Sequence, residues 1–211
     1  MVTPMQKISL RTRRLFADLV HDCSGIAATE FAFVAPVMLL MFFGTLEFSS
    51  AIAVDRKVTL VARTLADLTS QSISVSDTDL GNFTTTAKAI MTPYTKTPLA
   101  STPLNSWITE LWIDSSGNAR VQWSQPPGKH APKDVIAIPS KLIAKDTSGN
   151  VIAGQYLIFT EANYIYVPAV GYWIAKAGIT LADTAYTRPR QNPCVIYPTP
   201  TGGVWPNCPT L

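Results

Sequence analysis

Two carboxylates in an apolar setting carry most of this chain's capacity for chemistry. From Cys23 to Val54 the only charged residues are Glu30 and Glu47, and the sixteen positions between them are uncharged. A carboxylate at the centre of a bilayer costs about 2.5–3.5 kcal/mol even on a lenient insertion scale, so each Glu is a functional candidate. Glu30 stands five residues beyond Gly25. A peptide bond cut after Gly25 would make Ile26 a free ammonium terminus, with Glu30 as the fifth residue of the new chain. The other reading is a signal anchor in which Glu30 sits near the headgroups and is solvated there. For Glu47 the corresponding bland reading is snorkelling to the outer interface, just before Ser49 and Ser50.

The element that must position these residues is a membrane helix. Phe31, Phe33, Val34, Val37, Met38, Leu39, Leu40, Met41, Phe42 and Phe43 make the interval apolar all round, as lipid requires and a surface helix does not. A hydrocarbon core about 30 Å thick needs roughly 20 helical residues, which Ile26 to Val54 supplies. Pro36 removes the hydrogen bond to the carbonyl of Ala32 and permits a kink. Gly44 would allow a neighbouring helix to come close. Beyond the apolar run, Val54, Val58, Val61, Leu65 and Leu68 recur at a heptad-like spacing, so one helix of about 45 residues is expected to reach Ser70. Its lower half is expected to pack on the chain's own domain, with a partner helix as the alternative.

Lys7, Arg11, Arg13 and Arg14 form a basic leader ahead of Gly25. A basic leader, a small residue, Glu at the fifth position and then hydrophobics resemble a type IV prepilin processing site. More narrowly, Gly25 to Phe48 resembles the TadE/TadG-like minor pseudopilins of the tight-adherence (Flp) pilus system. The resemblance rests on Glu30-Phe31, on Pro36 and on Glu47-Phe48, and covers about residues 15–60. It implies cleavage between Gly25 and Ile26 by a prepilin peptidase. It also implies that Glu30 of one subunit neutralises the amino terminus of its neighbour and so sets axial register. Glu47 would then make a register contact with a second pseudopilin. Arg188-Pro-Arg190 resembles a closing motif of the same family, and otherwise reads as an exposed turn with an edge-blocking proline.

Charge and cysteine usage fit export. The net charge of +3 over 211 residues is no nucleic-acid signal, because residues 1–25 hold four basic and two acidic side chains and leave 13 and 12 behind. The basic residues before the span favour a cytoplasmic N-terminus, an inner-membrane span and a periplasmic C-terminal part. A conventional secretory signal peptide is the alternative, although the apolar segment is long for one. Cys23 would leave with the leader, and Cys194 and Cys208 remain as a pair suited to a disulfide across a Pro-rich tail. Cys-x-x-Cys spacing is missing and His21 and His130 are far apart, so no metal or cofactor is expected.

Residues 76–211 read as one exported domain. Ser76 or Asp77 is positioned to cap a helix holding Leu80, Phe83, Ala87, Ile90 and Met91, closed by Pro93. Residues 107–113 and 119–123 read as a β-hairpin around Asp114-Ser-Ser-Gly-Asn118. A short helix is expected within 139–145, a turn at 146–150, and strands at 155–167 and 179–187. The Trp and Tyr residues alternate as sheet residues do, and His130 is expected on the exposed surface. Hydrolase, P-loop and zinc-protease motifs are lacking, so the chain is not expected to be an enzyme. The expectation is an α+β minor pseudopilin that helps assemble an Flp-type pilus with other pseudopilins and pilins. The alternative is an uncut, single-pass anchor whose exported domain binds a ligand or surface.

Overall fold

The computed structural model describes residues 25–92, 94, 103–126, 129–168 and 178–197. The chain divides into two compact units, Met1–Phe48 and Ser49–Leu211, and the first of the described helices, α1 (Ile26–Ser70), contributes to both. In the first unit α1 is apolar on every side, and its large side chains are exposed in the single chain, Phe33 at 81% and Leu40 at 74%. Pro36 is accommodated inside the helix without ending it. Among the described residues α1 is the one helix long and apolar enough to cross a membrane.

In the second unit the expected stripe is buried. Val54, Val58, Val61 and Leu65 lose essentially all contact with solvent. Leu68 is only half-buried, and Thr69 and Ser70 take the inward positions of the last turn instead. Helix α2 (Asp77–Ile90) starts where expected. Ser76 caps it, and Asp79 reaches back to the Ser76 amide in a reciprocal box. Lys57 of α1 donates to the carbonyls of Ile90 and Thr92, so a cation meets the carbonyl end of α2.

The sheet has strands β1 (Leu104–Ile113), β2 (Ala119–Gln125), β3 (Val135–Ile136), β4 (Gln155–Tyr166) and β5 (Ile179–Thr187). They lie in the order β3-β2-β1-β4-β5 and every pairing is antiparallel. Strand alternation sends Ile108, Ile158, Ala162 and Tyr164 to the core shared with α1 and α2. Leu111, Ile113, Leu157 and Phe159 face the other way, under Ile136, Ile138, Leu142, Ile143 and Val151. Both faces are therefore covered, one by helices and one by an irregular layer.

A β-bulge changes the faces of β2. Glu110 pairs with Trp123 but Leu111 pairs with Val121, which leaves Gln122 as the extra residue. Val121 consequently joins the outer core while Trp123 joins the helix-side core. Thr160, at the centre of β4, stitches the layers together by donating to the Ala62 carbonyl at 2.7 Å.

Two loops repeat one design. Asp114-Ser-Ser-Gly-Asn118 joins Ile113 to Ala119, and Asp146-Thr-Ser-Gly-Asn150 joins the bridged residues Lys145 and Val151. In each, the Asp carboxylate accepts from the amides two and four residues on, and the Gly has φ near +85°. That left-handed backbone favours Gly. These amides, Asn118 above all for Asp114 and Asn150 for Asp146, hold both carboxyls below the usual range.

Several expectations change. The segment expected as a short helix within 139–145 is a single 3₁₀ turn, Ser140–Leu142. β1 begins earlier than expected, at Leu104, and β3 is a strand too short for any periodicity to announce. Pro93, the expected close of α2, lies outside the described residues.

Candidate functional site

The residues singled out for processing and assembly lie along the first half of α1. Ile26 is the first residue of α1, and Gly25, in a 3₁₀ conformation, precedes it with open space where a side chain would be. Thr29 donates back to the Ile26 carbonyl at 2.8 Å. Glu30 is exposed one turn further on, and Glu47 is half-buried. At a rise of 1.5 Å per residue, Glu30 and Glu47 are about 26 Å apart along the axis. That is close to the thickness of a hydrocarbon core, so one helix can hold each acid near a different face of a bilayer. Their azimuths differ by about 100°, so one flat partner surface would not engage both.

The pairing of Cys194 with Cys208 and the basic leader lie outside the described residues, as Cys208 and residues 1–24 do. Cys194 itself is buried. Arg188-Pro-Arg190 is more than an exposed turn. The Arg190 amide donates to the Ser70 carbonyl at 2.9 Å and its guanidinium pairs with Asp67, so this residue closes the C-terminal end of α1. Arg188 donates to the Leu142 carbonyl and to the Gln155 side chain.

His130 departs from expectation. It is half-buried, and its Nε2 lies 2.5 Å from Glu161. Lys129 takes the other oxygen of Glu161 at 2.7 Å and lies over the Trp107 ring. The cluster fastens the loop after β2 to the outer face of the sheet.

The least expected charged residue is Glu110, 1% exposed in β1 opposite the bulge of β2. Its carboxyl accepts the Val195 amide at 2.6 Å and the Trp123 indole N–H at 2.8 Å. The same indole is also directed at the Val195 carbonyl. Burial pushes the Glu110 pKa up to about 8, against the lowering effect of the two hydrogen bonds. A signal for Glu110 and Glu161 was present in the sequence, since each is the lone charge inside a strand. What each meets was not.

A family model described as TadE-like protein matches residues 25–67, which is consistent with a TadE-like protein of the Tad pilus system. The match contains Gly25, Ile26, Glu30, Pro36 and Glu47 and ends within α1. It begins later than the resemblance drawn from about residue 15, and runs further along the helix. No curated protein and no solved structure matches the chain.

Proposed function

We propose that this chain is a minor pseudopilin, processed after Gly25 by a prepilin peptidase and used in assembling a Tad-type pilus. The observation that carries the reading is a coincidence of positions. The TadE-like match starts at Gly25, α1 starts at Ile26, and the exposed Glu30 is the fifth residue from that point. A freed ammonium at Ile26 and the Glu30 carboxylate each carry a desolvation penalty in lipid. Pairing between neighbouring subunits offsets both and selects one axial register. The apolar first half of α1 acts as a single-pass anchor until assembly, with the sheet domain on the extracytoplasmic side. The role is structural, not catalytic, and its partners are the peptidase, other pseudopilins and pilins, and membrane lipid.

The deciding experiment is the intact mass and N-terminal sequence of the protein recovered from its membrane. A chain starting at Ile26 is the expected result. A chain starting near Met1 would overturn processing and leave an uncut anchor carrying a binding domain. A start beyond Phe48 would mean a cleaved signal peptide.

A further inference from the structure

The segment after β5 is a strap across the helix-side core. Val75 donates to the Ile196 carbonyl at 2.9 Å and Ile196 donates to the Ile73 carbonyl at 3.0 Å, so the strap runs parallel to the linker between α1 and α2. Tyr197 hydrogen-bonds Asp77 in the first turn of α2, and Gln125 at the end of β2 donates to the Tyr197 hydroxyl. The Tyr197 ring lies 5.5 Å from that of Trp123. Inside the core Val195 is held twice, its amide by Glu110 and its carbonyl by the Trp123 indole.

We propose that Glu110 is a proton-operated latch for the strap 194–197, which closes on the neutral carboxyl and loosens as the group becomes able to ionise in water. The physical reason is the setting of the carboxyl. It is buried, and its two partners are an indole and a backbone amide, so neither supplies a positive charge. The other titratable group that faces it is the Tyr156 hydroxyl of β4, which clusters with Cys194 and Trp112. Asp77 of α2 and Tyr197 meet at the far end of the strap. An ionised carboxylate without a cation is stabilised far better in water than in this core, and Val195 is the strap residue bound directly to it.

Opening the strap has a consequence for the surface. Asp77 and Gln125, released by Tyr197, line a cavity of about 180 Å³ between α2 and the start of β1, with Leu80, Gly81, Ser106 and Ile108. The latch thus links the protonation of one buried group to the polar rim of that groove.

The linkage has a definite sign. The closed state keeps the proton up to about pH 8, whereas a carboxyl opened to water loses it near its ordinary value of 4.5. Opening therefore becomes about tenfold easier per pH unit between these two values, and levels off above the higher one. The test is amide hydrogen exchange on the full chain in detergent, from pH 5 to 9, corrected for the intrinsic pH dependence of exchange. The expected result is that Val195 loses protection by about tenfold per pH unit up to pH 8, then no further. The β1–β4 ladder should stay more strongly protected throughout. Glu110→Gln, which keeps an acceptor but cannot ionise, should hold Val195 protection level. A flat profile in the unmodified chain would overturn the latch even if the variant failed to fold. So would Val195 and the ladder amides losing protection together with equal protection factors, because that would be global unfolding.

Discussion

A single carboxyl can dominate the pH response of this domain. Glu110 has a folded-state pKa raised to about 8 by burial, above the ordinary value of 4.5. Between those values the folded chain holds a proton that the unfolded chain has released. Stability therefore falls as pH rises through this window, by about 1.4 kcal/mol per pH unit at most, and changes little outside it. Urea denaturation from pH 5 to 8 should show this slope, and Glu110→Gln should flatten it. A wild-type slope that is flat or of opposite sign would rule out a raised pKa. The role proposed for Glu30 belongs to the same scale but lies between molecules. With processing as proposed, Glu30→Ala should leave cleavage intact and sharply reduce incorporation into pili, scored by immunoblot of sheared filaments. Normal incorporation would rule out the register pair.

The elements are held by local devices that short sequence windows contain. The Ser76–Asp79 box stops α2 from fraying, and Ser76→Ala should cost about 1 kcal/mol in chemical denaturation. The stripe on the second half of α1 meets the sheet directly. Leu65, 1% exposed, is its largest fully buried side chain, and Leu65→Ala should cost about 2–5 kcal/mol by the cavity it leaves. A loss below about 1 kcal/mol would mean that the helix does not rely on this face. The repeated Asp-x-Ser-Gly-Asn loops explain how two reversals are made with one set of residues, an Asp to collect amides and a Gly to supply the left-handed turn.

At the scale of the whole molecule, one helix serves two environments. Its first half is exposed and apolar, consistent with a single-pass membrane anchor, and its second half is built into a sheet domain. The strap and Arg190 return the chain's late residues to the end of that helix and to the core. If Cys194 and Cys208 are bridged, Cys194→Ser should lower the domain's melting temperature under oxidising conditions and have little effect under reducing ones. Equal melting temperatures under oxidising conditions would mean that the pair is not bridged.

Much of this was legible from short-range pattern alone. The uncharged interval between Glu30 and Glu47, the stripe through Val54 to Leu65, the Ser76 cap, the β1–β2 hairpin and the two long strands all follow from neighbours within a few residues, where helix and strand periods operate. The same windows marked Gly25, Ile26 and Glu30 as candidates, because a charge among apolar residues needs no tertiary context to stand out. Only the tertiary structure decided what the remaining polar residues do. Glu110 meets Val195 across 85 residues of sequence and Thr160 meets Ala62 across 98. A one-residue bulge at Gln122 determines that Trp123 faces the helices and reaches Glu110. His130 looked like a surface residue because its loop is polar, and became half-buried because Glu161 waits on the sheet below it. Burial is a property of the packed assembly of strands and helices, so the partner and proton affinity of a lone charge arise only once distant segments enclose it.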